Sequence, residues 1–153
     1  MANLYQSDVG LIKSLVLKHP KDAFVSDETI DQQWQRLNYL RRPNLARAIN
    51  EYDHFVALLK RFDIGLYFLP SDEKAGLDSI YTRDASIVCN KGIILCNMGK
   101  DERNAEPATQ EAAFRDMGIS IHGAISGNGR VEGGDVVWIN EHTLAIAHGY
   151  RTN

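Results

Sequence analysis

Asp84-Ala85-Ser86-Ile87-Val88-Cys89-Asn90-Lys91-Gly92-Ile93-Ile94-Leu95-Cys96 holds two short β-branched runs around Asn-Lys-Gly. It reads as a β-hairpin, because Gly92 tolerates the positive φ that a tight turn demands. Pro107 to Met117 then reads as a helix with Gly118 as its C-terminal cap, and Ile119 to Ile125 alternates like a strand. The pattern restarts downstream. Asp135-Val136-Val137-Trp138-Ile139 and Thr143-Leu144-Ala145-Ile146-Ala147 flank Asn140-Glu141-His142, and Asp135 follows Asp84 by about 50 residues. A repeat of that period predicts an array in which each unit buries its face against the next.

Working backwards from the first hairpin, Leu11 to Leu17 reads as a strand closed by His19-Pro20, followed by a polar stretch. Pro43 suits a first helical turn, and Leu45, Ala48, Ile49, Tyr52, Phe55, Val56 and Leu59 have helical spacing. Gly65 to Pro70 is a short strand, which gives β-α-β for the first unit. The expected organisation is one α/β domain over residues 1–153, with units near 10–70, 84–125 and 130–153. The last of these has its hairpin but neither helix nor closing strand.

Bulk properties exclude several classes. The chain has 153 residues, with 17 Lys+Arg against 20 Asp+Glu and a formal net charge of -3, so no basic field argues for nucleic acid or an anionic membrane. No apolar run approaches the roughly 18 residues of a spanning helix. Met1 to Asp8 lacks a basic and apolar signal segment, and a cytoplasmic protein is expected. Cys89 and Cys96 are the only cysteines and both are expected to be buried reduced thiols. Neither His-x-x-x-His nor Cys-x-x-Cys occurs, so no metal site is read, and no cofactor.

The chemistry concentrates in three stretches: Asp78-Ser79-Ile80-Tyr81-Thr82-Arg83-Asp84, Glu132-Gly133-Gly134-Asp135, and Gly149-Tyr150-Arg151-Thr152-Asn153. A guanidinium is planar, cationic and rich in N–H donors, so its natural partners are carboxylates placed to accept paired hydrogen bonds. Asp78, Asp84, Glu132 and Asp135 are the candidates. A Gly-Gly pair lets flanking carboxylates turn toward one point.

In these motifs the chain resembles the N-terminal portion of the guanidine-modifying superfamily: dimethylargininases, arginine deiminases and amidinotransferases. The resemblance implies a five-unit ββαβ propeller around a central site, of which this chain supplies about three units, the third incomplete. It further implies a hydrolase acting on the C–N bond of a small-molecule guanidine. Amidino transfer and a non-catalytic propeller used for binding are the alternatives. In the family pattern Glu132 orients the catalytic histidine and meets the substrate guanidinium, and Asp84 grips that guanidinium. Asp78 and Tyr81 touch the substrate or line its pocket, and Arg151 binds its α-carboxylate. Asp135 is expected to stabilise a turn through backbone N–H groups, and Thr152 and Asn153 to hold their loop. His148 beside Gly149 is a candidate pocket residue, with a solvated loop histidine as the commoner reading. Asn97 stands where the family usually has a second carboxylate-binding arginine, and could serve a neutral terminus. Gly99, Arg103 and Glu106 fit the family spacing; taken without it, Arg103 and Glu106 read as an ion pair at a helix start, worth little at the surface. The family's nucleophilic cysteine and catalytic histidine have no counterparts here, so the chain alone is expected to be inactive. Self-association, or docking with a missing C-terminal half, is also expected.

Overall fold

The computed structural model describes residues 10–153, so the Met1 to Asp8 stretch lies outside the described residues. The fold is mixed α/β, and the chain divides into two compact regions, one of residues 12–80 and the other containing residues 81–153.

In residues 12–80 two strands, β1 (Ser14–Leu17) and β2 (Gly65–Phe68), pair in parallel. Between them lie α1 (Pro20–Ala23), α2 (Asp27–Gln33) and α3 (Leu45–Leu59). The polar stretch is therefore largely helical. Ser26 explains the start of α2, since its hydroxyl accepts the Thr29 N–H at 3.1 Å while Asp27 and Glu28 complement the positive helix end. Pro43 is not in the first turn of α3. Asn44 caps that helix by accepting the Arg47 N–H at 2.8 Å, which leaves Pro43 just outside. The core of this region is Ala23, Phe24, Ile30, Leu37 and Leu77, with Trp34, Leu45 and Ala48 packed around it. Much of it thus comes from elements with little apolar periodicity.

In residues 81–153, β3 (Ser86–Cys89) and β4 (Gly92–Leu95) form the antiparallel hairpin, with Gly92 at φ 125°. A Cβ at Gly92 would run into the Ser120 carbonyl oxygen, so the residue is fixed by close approach as well as by φ. After α4 (Glu106–Asp116), β5 (Ile121–Ala124) joins the other edge of β4 in parallel. Gly118 at φ 71° ends the helix, and the Ile119 N–H reaches back to the Phe114 carbonyl at 2.8 Å. Helix α4 packs on β4 and β5 and buries Pro107, Ala113 and Phe114. The second hairpin consists of β6 (Val136–Asn140) and β7 (Thr143–Ile146). It is tied to the first by the Trp138 indole N–H on the Val88 carbonyl, 3.0 Å, and by Arg83 Nη2 on the Val136 carbonyl, 2.7 Å. Arg83 is thereby accounted for as a tie between hairpins.

Cys96 is buried, as expected; Cys89 is only half-buried. Among the described residues no helix is long and apolar enough to cross a membrane.

Candidate functional site

Glu132 ends the short run that follows β5. Val131 forms a bridge with Asn97, and a 3-10 turn over Gly133–Asp135 carries the chain into β6. The turn is possible only because Gly133 has no side chain: a Cβ there would collide with the Arg83 carbonyl oxygen. The Gly133 N–H donates to the Asp84 carbonyl at 2.8 Å, so the segments carrying Asp84 and Glu132 are hydrogen-bonded neighbours. A Cβ on Gly134 would come within 2.6 Å of Asp84 Oδ1. The glycine pair is what lets the segments carrying Asp84 and Glu132 approach so closely.

The Glu132 side chain is 3% exposed. Its Oε2 is 3.0 Å from Arg151 Nη1, and its Oε1 accepts the Gly99 N–H at 3.3 Å. Arg151 itself is 53% exposed. Gly99 lies against the backbone of Arg151, where a Cβ would overlap the Arg151 Cα. Thr152 completes the support. Its hydroxyl accepts the Glu132 backbone N–H at 3.1 Å and donates to Asp135 Oδ2 at 2.6 Å. The Asp135 carboxylate is thus engaged by a side-chain hydroxyl rather than by the backbone N–H groups expected from the turn reading. Asn153 closes the loop, its amide donating to the Asn128 carbonyl and its oxygen accepting the Arg130 N–H, both at 2.8 Å.

Asp84 holds a guanidinium, and that guanidinium belongs to the protein. Arg103 Nη1 donates to Asp84 Oδ2 at 2.7 Å, while its Nε and Nη2 make a bidentate pair with Glu106 at 2.9 and 2.7 Å. The Arg103 and Glu106 side chains are each 2% exposed. The expectation of a weak surface pair at a helix start is therefore overturned: folding of α4 against the sheet takes both charges out of water, where pairing is obligatory. Burial pulls the Arg103 pKa down, but the hydrogen bonds and charges of Glu106 and Asp84 outweigh it and hold it above its ordinary value. The Tyr81 ring lies 6.0 Å from the Arg103 guanidinium carbon and is itself exposed.

Asp78 is buried, 7% exposed, in a 3-10 turn of the region 12–80. Asn97 donates its amide to the Gly129 carbonyl at 2.6 Å, a contact that supports the Glu132 strand. His148 is exposed. Cys96 sits beneath the site. Burial pushes its thiol up to about 12, with the Asp84 and Glu132 charges adding to the rise against an opposing hydrogen bond from the Gly133 backbone. Such a thiol is protonated at neutral pH and unsuited to attack. Among the described residues no group of three or more His, Cys, Asp or Glu side chains gathers as a metal site.

Asp84, Glu132 and Arg151 stand out in the sequence as charged motif residues, but the guanidinium that each carboxylate holds is set by the fold. The Arg103-x-x-Glu106 spacing was visible, whereas its burial against Asp84 depends on the packing of α4.

The chain is 25% identical over 143 residues to an N(G),N(G)-dimethylarginine dimethylaminohydrolase of Pseudomonas aeruginosa. That alignment covers 94% of this chain and 53% of the relative, so the chain spans about half the relative's length. A structure of the Pseudomonas aeruginosa enzyme, a cysteine-to-serine variant complexed with citrulline, aligns with a TM-score of 0.74 at 22% identity, covering 94% of this chain and 53% of that one. The N-terminal domain of a cyanobacterial arginine dihydrolase, bound to product, aligns with a TM-score of 0.72 at 15% identity over 94% and 51% of the two chains. These two structures share the fold. The family model described as N,N dimethylarginine dimethylhydrolase, eukaryotic, matches residues 20–153, and the chain belongs to that family of guanidine-hydrolysing enzymes.

Proposed function

We propose that the chain carries the guanidinium-holding part of a hydrolase acting on the C–N bond of a guanidine substrate, of dimethylargininase or arginine-deiminase type. One observation carries this reading: Glu132 is a buried carboxylate with one oxygen on a guanidinium and the other on a backbone N–H. Such an arrangement suits a planar cation with parallel N–H donors. In this reading Glu132 meets the substrate guanidinium together with Asp84, through the oxygen other than the Oδ2 that Arg103 holds, Tyr81 lines the pocket, and Arg151 takes an anionic group at the far end of the substrate. The larger architecture would be the five-unit propeller, with this chain supplying about three units.

The reaction class requires a nucleophile that adds to the guanidinium carbon and expels an amine before water releases the ureido product. Cys96 does not fit, with a pKa of about 12. Cys89 pairs with Gly92 at the turn end of the hairpin, at the end of β3 away from Asp84. The chain by itself is therefore expected to hold guanidines without turning them over.

The test is Glu132→Gln, which keeps the shape and an acceptor while removing the charge. Titrations with arginine and dimethylarginine followed by NMR should show affinity falling by about tenfold or more, with stability changed by no more than about 1 kcal/mol. Unchanged affinity in the Gln variant would refute the reading.

A further inference from the structure

Arg130 stands two residues before Glu132 on the same segment. Its Nη1 donates to the Met98 carbonyl at 3.2 Å and to the Gly99 carbonyl at 3.0 Å. Its contact with Asp101 is long, 4.0 Å, and the aspartate is 85% exposed, so the carbonyls are the firmer partners. The Met98 carbonyl and the Gly99 N–H are the two ends of one planar peptide unit. That same N–H donates to Glu132 Oε1. We propose that Arg130 is a positioning residue for Glu132: by holding the Met98–Gly99 peptide at its carbonyl end, it aims the Gly99 N–H at the buried carboxylate and so sets the direction from which that carboxylate meets a guanidinium. This rests on the reading of Glu132 given above and adds the residue that orients it.

The Gly99–Glu132 hydrogen bond is long, 3.3 Å, so a small rotation of the peptide plane loses it. Rotation of a planar peptide moves both its ends together, and fixing the carbonyl therefore fixes the N–H. The base from which Arg130 reaches is itself fixed. Its backbone N–H donates to Asn153 Oδ1 at 2.8 Å, and its carbonyl accepts the Asn153 N–H at 3.0 Å. Val131, between the two charged residues, bridges to Asn97 and packs on the cluster of Ala85, Cys96 and Met98. Charge adds to geometry. A cation at the carbonyl end and an anion at the N–H end polarise the peptide in the same sense, which strengthens both hydrogen bonds. Glu132, 3% exposed, cannot draw on solvent to replace a lost donor, so without the aimed N–H its carboxylate turns to other partners.

Arg130→Met keeps the apolar stem and removes every side-chain donor, while Arg130→Lys restores a cation that can reach a carbonyl. Each is read on the 153-residue chain by NMR, with arginine as the titrated probe. In the unmodified protein Glu132→Gln should move the Gly99 amide proton resonance, because the acceptor loses its charge. In Arg130→Met that response should shrink by about half or more. Arginine affinity should fall about threefold in Arg130→Met, recover in part in Arg130→Lys, and show no further loss when Arg130→Met is added to Glu132→Gln. Arg130→Gln, too short to hold the peptide, should give the same collapse of the Gly99 response and serves if the Met variant folds poorly. A Gly99 response that persists unchanged without the Arg130 guanidinium, or an affinity loss of equal size with and without Glu132→Gln, would overturn the positioning role. A collapsed Gly99 response with no arginine binding by any variant, the unmodified chain included, would uphold the link from Arg130 to Glu132 and defeat the functional reading instead.

Discussion

Among the guanidinium–carboxylate pairs described within residues 81–153, two rest on a buried glutamate, and they differ in what surrounds them. Arg103 is 2% exposed and gripped from two sides by Glu106 and Asp84. Arg151 is 53% exposed and touches the buried Glu132 with one nitrogen. The first is a sealed structural element, closed when α4 docks on its sheet. The second pairs a buried anion with a cation that solvent reaches. The same pairing chemistry thus occurs in two settings, one where both glutamate and arginine lose water and one where only the glutamate does.

The largest expected effect breaks the sealed constellation. Glu106→Ala leaves the Arg103 charge half-compensated in a dry interior and should cost about 3–5 kcal/mol of stability by urea unfolding. A cost near that of a surface substitution would mean that water reaches Arg103. Arg151→Ala should cost less in the same assay, about 2 kcal/mol, because the buried Glu132 loses one partner but keeps the Gly99 N–H. Similar losses in the two variants would erase the distinction between them.

The smallest effect is read at Cys96, whose thiol senses both Asp84 and Glu132. In a Cys89→Ser background, Asp84→Asn and Glu132→Gln should each lower the Cys96 titration midpoint from about 12, as followed by thiolate ultraviolet absorbance. The folded thiol keeps its proton to about 12 and the unfolded one loses it near 9.0. Its contribution to stability is accordingly complete below pH 9 and lost as pH rises toward 12. Cys96→Ala should flatten that part of the pH–stability curve.

Much of this was legible in the sequence, for reasons particular to each segment. Both hairpins announce themselves through β-branched runs around turn residues, and α4 through Pro107 and Gly118. Helices α1 and α2 were not legible from periodicity, because α2 buries only Ile30 and its evidence is the Ser26 cap. The motif residues of the site could be named in advance. Their partners could not, since Asp84 meets Arg103 across 19 positions and Glu132 meets Arg151 across the whole second hairpin. Such pairings are set by packing, which no local pattern encodes. Asn97 shows the converse: a position read for ligand recognition instead supports the backbone at Gly129.

The chain has two tryptophans, and the fold gives one to each compact region. Trp34 lies against the apolar cluster of residues 12–80, and Trp138 donates its indole N–H to the Val88 carbonyl. Each region therefore carries its own fluorophore in a distinct setting. Trp34→Phe isolates the signal of the region that holds Glu132 and Arg151, and Trp138→Phe isolates the other. Emission from the two single-tryptophan proteins separates cooperative melting of the whole chain from sequential loss of its parts.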